Sequence, residues 1–269
     1  NLYRYFPSKD ALVASLWDLR AVAFKPKERT VLHHITSSYS ADRTAPAPKL
    51  PGSSVGSYVP GAGTQLYNEN TGAPVPAGGK LRYSMHYTPT GRAPTDATQI
   101  AYSILNTPPE IIRRAAVISD PGLSIPAGVA RHKEVGYLEF PADALLYSVH
   151  PHAHYRGYSV ELTQLTPDGR QTPLLSVPKY DFNWQLDYDL EKPIPIKAGT
   201  KLVVTWIYDN SVNNPANPDP KAHVKSGEQT WEEMMYFRVN YRWADETSSN
   251  VRNDLQTRLM ETRLIGQLD

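Results

Sequence analysis

Short segments with apolar side chains at every second position recur through the middle of the chain, and stretches rich in glycine and proline separate them. A period of two is typical of a β-strand with one buried face. Such strands are predicted at residues 81–87, 145–149, 158–165, 201–208 and 236–243. The sequence Pro167-Asp168-Gly169 predicts a hairpin turn after the third of them. The pattern therefore predicts an all-β protein built from antiparallel β-sandwiches.

The alternation also sorts the side chains of each strand between two faces. In the last predicted strand, Met235 and Phe237 share the apolar face, which leaves Met234 on the polar face. In the strand at 81–87, Tyr83 belongs to the apolar face and His86 to the opposite one. The period thus directs one methionine and one histidine away from the core.

The length of 269 residues exceeds that of a usual single core, so two domains are predicted. The turn-rich segment around residue 120 is the best boundary, which gives an N-terminal domain at 1–120 and a C-terminal domain at 121–243. Charged residues and leucines alternate over 244–269, a tail that permits a helix. Residues 41–80 are dense in Ala, Pro, Gly and Ser and lack a period, so a surface excursion is expected there.

Charge and composition exclude several classes of function. Because 28 basic and 27 acidic residues leave a formal net charge of +1, neither nucleic acid nor an anionic membrane is expected as a partner. DNA binding through the first twenty residues therefore ranks lowest. No apolar run reaches the length of a membrane span. Since the chain has no cysteine, any metal must be held by His, Met or carboxylate side chains.

Histidines cluster at one place in the sequence. Three of the eight stand at His150, His152 and His154, and another two are adjacent at His33 and His34. A lone histidine is more often solvated surface, but a His-x-His pair on a strand puts both imidazoles on one face. Because His150, His152 and His154 alternate along the strand, a metal site could use two or all three of them. Pro151 disturbs the strand and weakens the case for His150.

The donor types favour copper. Imidazole with thioether suits copper, whereas zinc would more often recruit cysteine or a carboxylate. Adjacent His33 and His34 would point in opposite directions on a regular strand, so joint binding requires a β-bulge. Residues 209–220, rich in Asn, Asp and Pro, are interpreted as turns rather than a calcium site. Asp181, Trp184 and Gln185 have two open interpretations. They either support the metal ligands or simply pack against neighbouring side chains.

Seven segments, in order, resemble the copper type II, ascorbate-dependent monooxygenases, with a bacterial branch as the nearest fit. They are LHH (32–34), MHYTPTG (85–91), PHAHYRG (151–157), LLSVPKYDFNWQ (174–185), AGTKL (198–202), YDNSVNNPANPDP (208–220) and GEQTWEEMM (227–235). The resemblance spans roughly residues 1–243. It implies two jelly-roll-like sandwich domains that face each other across a cleft, with one copper ion in each.

The resemblance also implies a role for each set of ligands. His33, His34 and His86 would hold an electron-transfer copper, and His152, His154 and Met234 would form the catalytic, oxygen-activating site. The implied reaction is hydroxylation of a C–H bond of a small or peptide-like substrate by dioxygen, with electrons from ascorbate or another donor. The alternative is a non-catalytic copper-binding or structural subunit of a larger assembly, which would have lost ligands in one domain.

One part of the expected site departs from the family. Members that act on peptides hold the substrate carboxylate with arginine, asparagine and tyrosine, and the corresponding positions here are His150, Tyr236 and Arg238. An amidating substrate is therefore not expected. By the same resemblance, the abrupt start at Asn1 is expected to follow removal of an upstream haem or thioredoxin-like partner region, and the setting is expected to be periplasmic or secreted.

Overall fold

The computed structural model describes residues 17–40, 54–59, 65–66, 70–75, 80–88, 90–252, 254–255 and 258–259. Its described residues divide into two compact units, one within 1–114 plus 245–253 and one within 115–244 plus 254–269. Both are built from β-strands, as the alternating pattern predicts. In the described part of the chain, no helix is long and apolar enough to cross a lipid bilayer.

The N-terminal unit contains two sheets. Its strands are β1 (Trp17–Lys25), β2 (Leu32–Ser40), β3 (Ser54–Tyr58), β4 (Gln65–Leu66), β5 (Thr71–Val75), β6 (Lys80–Tyr87), β7 (Gln99–Ile104) and β8 (Ile111–Ile112). One sheet has the order β4-β1-β5-β8, with β7 also paired to β1, and the other has the order β3-β2-β6. Val22, Val55 and Tyr102 form one buried cluster, and Leu32, Ile35 and Tyr58 form a second.

The expectation of a surface excursion over residues 41–80 is wrong for part of that segment. Residues 54–58 and 71–75 are strands within the two sheets, and Val55 and Tyr58 lie in the buried clusters. The strands have five residues each and are flanked by glycine and proline, so they are too short to establish a visible period. Pairing with β1 and β2 stabilises them instead.

The C-terminal unit is a β-sandwich. Its strands are β9 (Arg114–Ser119), β10 (Ser124–Ile125), β11 (His132–Glu139), β12 (Ala144–His152), β13 (Gly157–Leu165), β14 (Gln171–Val177), β15 (Tyr188–Ile196), β16 (Lys201–Tyr208), β17 (Val224–Lys225) and β18 (Tyr236–Trp243). Sheets of order β11-β16-β13-β14 and β15-β12-β18-β9 enclose one core. That core includes Trp206 and Trp243, both fully buried, and β10 pairs with β17 outside the two large sheets.

Local sequence predicted this unit well. The strands expected at 201–208 and 236–243 are observed at those residues, and those expected at 145–149 and 158–165 lie within β12 and β13. The predicted hairpin joins β13 to β14, and Gly169 has φ of 84°, a left-handed conformation that glycine adopts without steric cost. Burial alternates along β18 as its sequence requires.

The units divide after Arg114, whereas the sequence placed the domain boundary near residue 120. Residues 115–119 belong with the C-terminal unit because β9 pairs with β18 in its sheet. In the expected tail, the described residues 254–255 and 258–259 are helical, and Leu255 and Leu259 pack in the C-terminal core. A spacing of four residues places both leucines on one helical face.

Candidate metal centres

The C-terminal candidate site lies where β12 ends beside the start of β18. His152 is the last residue of β12 and pairs with Tyr236, the first residue of β18. The rings of His152 and His154 contact edge to face, with centroids 5.2 Å apart. Met234 lies two residues before Tyr236, and the backbone N–H groups of His154 and Met234 both donate to Oε1 of Glu233. The structure thus brings the two imidazoles together and places the backbone of Met234 near that of His154.

Hydrogen bonds select one tautomer at both histidines. The Nδ1 of His152 is 2.6 Å from Oε1 of Gln185, whose amide nitrogen donates to the carbonyl of Phe182 at 2.7 Å. The Nδ1 of His154 is 3.3 Å from the carbonyl oxygen of Glu232. Since both partners are acceptors, each imidazole carries its proton at Nδ1 and its lone pair at Nε2. A polar acceptor behind each ring is the usual support of a metal-binding histidine.

The two adjacent methionines separate as strand parity predicted. Met235 is buried in the C-terminal core, and Met234 is half-buried on the other side of the chain. The hydroxyl of Tyr208 donates to the carbonyl of Met234 at 3.0 Å and fixes the backbone there. Two imidazoles and a thioether form a donor set that fits copper, particularly the soft reduced ion.

A fully buried carboxylate, Glu233, connects the two ligand-bearing segments. It accepts the backbone N–H of His154, that of Met234 at 2.8 Å and that of Arg156 at 2.9 Å. Burial raises the pKa of Glu233 to about 7, against these three N–H groups and the charge of Arg156, which lower it. Sequence analysis missed this residue because nothing local distinguishes it from the neighbouring Glu232.

In the N-terminal unit, the bulge required by the adjacent histidines is present. Pairing of β2 with β6 shifts register between Leu32 and His34, so His33 is the extra residue. As a result, Nδ1 of His33 and Nδ1 of His34 lie 2.9 Å apart. Two nitrogens bound to one ion at about 2.0–2.1 Å would be separated by roughly 3 Å. The pair fits a shared metal ion, or one hydrogen bond between opposite tautomers.

The third predicted ligand, His86, lies next to this pair in a different orientation. It is paired with His34 across the sheet, and the two rings stack with centroids 3.9 Å apart. The in-plane lone pairs of the two stacked rings lie in separate planes that face each other, so His86 must turn before its nitrogen and that of His34 can converge on the same ion. Accordingly, no three His, Cys, Asp or Glu side chains in the described residues are grouped to hold a metal ion. Burial, followed by the nearby His86, lowers the pKa of His33 and favours its neutral, metal-binding form.

The candidate substrate residues share one face of the C-terminal sheet. His150 pairs with Arg238 across β12 and β18, next to the pair of His152 and Tyr236. Asp187 lies between the first two, with Oδ1 2.5 Å from Nη2 of Arg238 and 3.4 Å from Nδ1 of His150. Burial alone would raise the pKa of Asp187, but His150 and Arg238 together hold it well below its usual value. This carboxylate, which sequence analysis did not select, neutralises the guanidinium.

The match to a protein family covers the C-terminal site. Residues 132–254 match the copper type II ascorbate-dependent monooxygenase, C-terminal domain. The match includes His152, His154 and Met234, whereas His33, His34 and His86 lie outside it. The family resemblance found in the sequence is thus confirmed on the segment that holds His152, His154 and Met234.

Other comparisons add no functional information. No curated protein matches the chain. Among solved structures, it is similar to the infectious bursal disease virus Gt strain at 12% identity and a TM-score of 0.26, covering 90% of this chain and 60% of that one. It is also similar to dimeric latent PorU from Porphyromonas gingivalis at 11% identity and a TM-score of 0.18, covering 86% of this chain and 25% of that one. The chain therefore spans less than two thirds of either structure.

A buried polar network supports the histidine loop of the C-terminal unit. Arg156 is almost completely buried, and its Nε donates to Oδ1 of Asn210 at 2.7 Å. The amide nitrogen of Asn210 donates to the carbonyls of Pro126 and Ala222, both at 2.9 Å. Asn217 adds a further donor to the same Oδ1 at 3.0 Å. The segment at 209–220 thus supports the loop through protein hydrogen bonds, as its interpretation as turns requires.

Proposed function

We propose that the protein is a copper-dependent monooxygenase that hydroxylates a C–H bond of a small or peptide-like substrate, using dioxygen and a one-electron donor such as ascorbate. The observation that carries the proposal is the common tautomer of His152 and His154 beside Met234, within the family-matched domain. Copper bound by these ligands would supply one-electron chemistry with dioxygen. A second copper at His33, His34 and His86, a periplasmic or secreted setting and an upstream haem or thioredoxin-like partner belong to the same proposal.

The structure supports a division of labour among the chain's own residues. Gln185 and the carbonyl of Glu232 orient the two imidazoles, and each keeps the proton on the nitrogen that faces away from the metal. In the N-terminal unit, the bulge at His33 brings two imidazole nitrogens together without any turn or loop. Each unit therefore offers its own nitrogen ligands for an ion.

Copper stoichiometry and oxygen consumption test this function together. Metal-free full-length chain is titrated with copper, and oxygen uptake is then followed with ascorbate as the donor. We expect two coppers per chain and oxygen uptake that depends on both bound ions, with zinc-loaded protein as the inactive control. Binding of fewer than two coppers, or oxygen uptake no faster than that of free copper, would contradict the proposal.

The face next to His152 indicates the class of substrate. His150, Tyr236 and Arg238 are proposed to contact it, because they occupy the same sheet face as the metal ligand. The charge of Arg238 is already balanced by Asp187 at 2.5 Å. A substrate carboxylate that approached Arg238 would therefore also meet a second carboxylate. We propose that the end of the substrate that lies here is uncharged.

Replacing Asp187 by asparagine is expected to admit anions at this face. Benzoate and benzamide are matched probes, since they share a ring and differ in charge. The Asp187→Asn variant should bind benzoate about tenfold more tightly than the wild type does, an effect of roughly 1.4 kcal/mol, because Arg238 loses its counter-ion. Benzamide affinity should stay the same, and titration calorimetry measures both. Equal benzoate affinity in the two proteins would exclude Asp187 as the selecting residue.

A further inference from the structure

One side chain joins the backbones of both segments that carry the C-terminal ligands. A single oxygen of Glu233, Oε1, accepts the N–H of His154 and the N–H of Met234. Its other oxygen, Oε2, accepts the N–H of Arg156 at 2.9 Å. His154 is 79 residues from Glu233 in the sequence, so this contact is not a consequence of local chain geometry.

The same short segment contacts His154 in two further ways. The carbonyl of Glu232 accepts from the His154 ring at 3.3 Å, and Met234 provides the expected sulfur ligand. Three successive residues thus set the tautomer of an imidazole, the position of its backbone and the site of the thioether. The carboxylate is the only one of these elements that touches the backbone of both ligand residues.

The surroundings of Glu233 show why a carboxylate group fits this place. Its side chain has no exposed surface, so each of its oxygens depends on protein donors. A carboxylate only accepts hydrogen bonds and can satisfy three N–H groups at once. Buried Arg156 lies beside it with a balancing positive charge, and the Arg156 guanidinium is held by Asn210 and the carbonyl of Trp231.

We infer that Glu233 is the positioning residue of the C-terminal metal site, and that its carboxylate fixes the separation between His154 and Met234 before any ion binds. The inference rests on the proposed function only for the identity of the metal. A glutamine at this place would turn its amide nitrogen toward at least one backbone N–H, whichever way the amide is oriented. The geometry between the two ligand residues would then relax.

Glu233→Gln tests the inference, and Glu161→Gln is the matched control. Glu161 is a glutamate of the same unit, but its side chain is exposed on β13. Cu(I) is titrated into each full-length variant in competition with a chromophoric chelator. We expect affinity at the C-terminal site to fall about 10–100-fold in Glu233→Gln alone. The site at His33, His34 and His86 serves as an internal control and should not change.

Hydrogen exchange of the metal-free protein gives a readout that does not depend on copper. The amides of His154, Arg156 and Met234 should exchange faster in Glu233→Gln than in Glu161→Gln, while amides in the middle of β16 keep their protection. A different outcome is that the wild type binds no copper while the two variants still differ in amide exchange as expected. In that case the proposed function would fail and the positioning role would stand. If Glu233→Gln does not fold, Glu233→Asp replaces it, since aspartate keeps the charge but is one methylene too short to reach all three donors. Folded variants with the copper affinity and the amide exchange of the control would overturn the inference.

Discussion

Replacing His152 by alanine is expected to remove one of two bound coppers and to lower oxygen-dependent turnover more than about a hundredfold. Changing a group that merely supports a metal ligand already costs about 10–100-fold, and loss of the ligand itself should cost more. The effect should be confined to the C-terminal site, because His33 and His34 belong to the other unit. Copper analysis after dialysis and an oxygen electrode measure the two quantities.

His223→Ala is the matched control for this substitution. It removes a histidine from the same unit, one whose ring contacts the hydroxyl of Ser124 at 2.7 Å rather than a candidate ligand. This variant should keep both coppers and full turnover. Met234→Ile should resemble His152→Ala in turnover, because it removes the sulfur and retains an apolar side chain of similar size. Turnover at the wild-type level in both ligand variants would rule out the assigned catalytic site.

The second large effect is expected from Glu246→Gln in the N-terminal unit. The carboxylate of Glu246 is fully buried, and its oxygens lie 3.0 and 2.9 Å from Nε of Arg114. The N–H of Arg252 also donates to it, at 2.8 Å. Removing one partner leaves a buried guanidinium without its counter-charge, which typically costs about 3–5 kcal/mol. The free energy of unfolding, measured by denaturant titration, should fall by that amount.

An exposed ion pair provides the comparison. Lys197 and Asp143 lie 2.7 Å apart, but the Lys197 side chain is 73% exposed and that of Asp143 is 45% exposed. Water and salt screen such a pair, so Lys197→Gln should leave the unfolding midpoint unchanged within error. If Glu246→Gln lowered the free energy of unfolding as little as Lys197→Gln does, the buried pair would not stabilise the N-terminal unit.

Alternation of apolar residues was enough to predict the long strands, the 167–169 turn and the opposite orientations of Met234 and Met235. It was enough because each depends on residues that are close in sequence. The adjacency of His33 and His34 indicated that joint binding would need a bulge, and the register of β2 with β6 shifts there. Short β3 and β5 were not predicted, because five residues contain too few alternations to outweigh a composition that favours loops.

The supporting polar groups could not be predicted from the sequence. Glu233, Asp187 and Asn210 each contact at least one partner that is distant in the sequence, such as His154, His150 and Pro126, and no local pattern shows which partner a carboxylate or amide will meet. Strand parity and the resemblance to a known family supplied the candidate ligands of the C-terminal site. The residues that hold those ligands in place became visible only with the fold.

The extra residue in β2 has a consequence for protein design. One extra amino acid opposite a histidine-bearing strand brings two neighbouring imidazoles, which would normally project to opposite sides, together with nitrogens 2.9 Å apart. Because the bulge affects one residue pair of the antiparallel strands, we expect that it can be introduced into other β-hairpins with little loss of strand pairing. Deleting His33 here would restore regular alternation and leave His34 as the one imidazole of the pair.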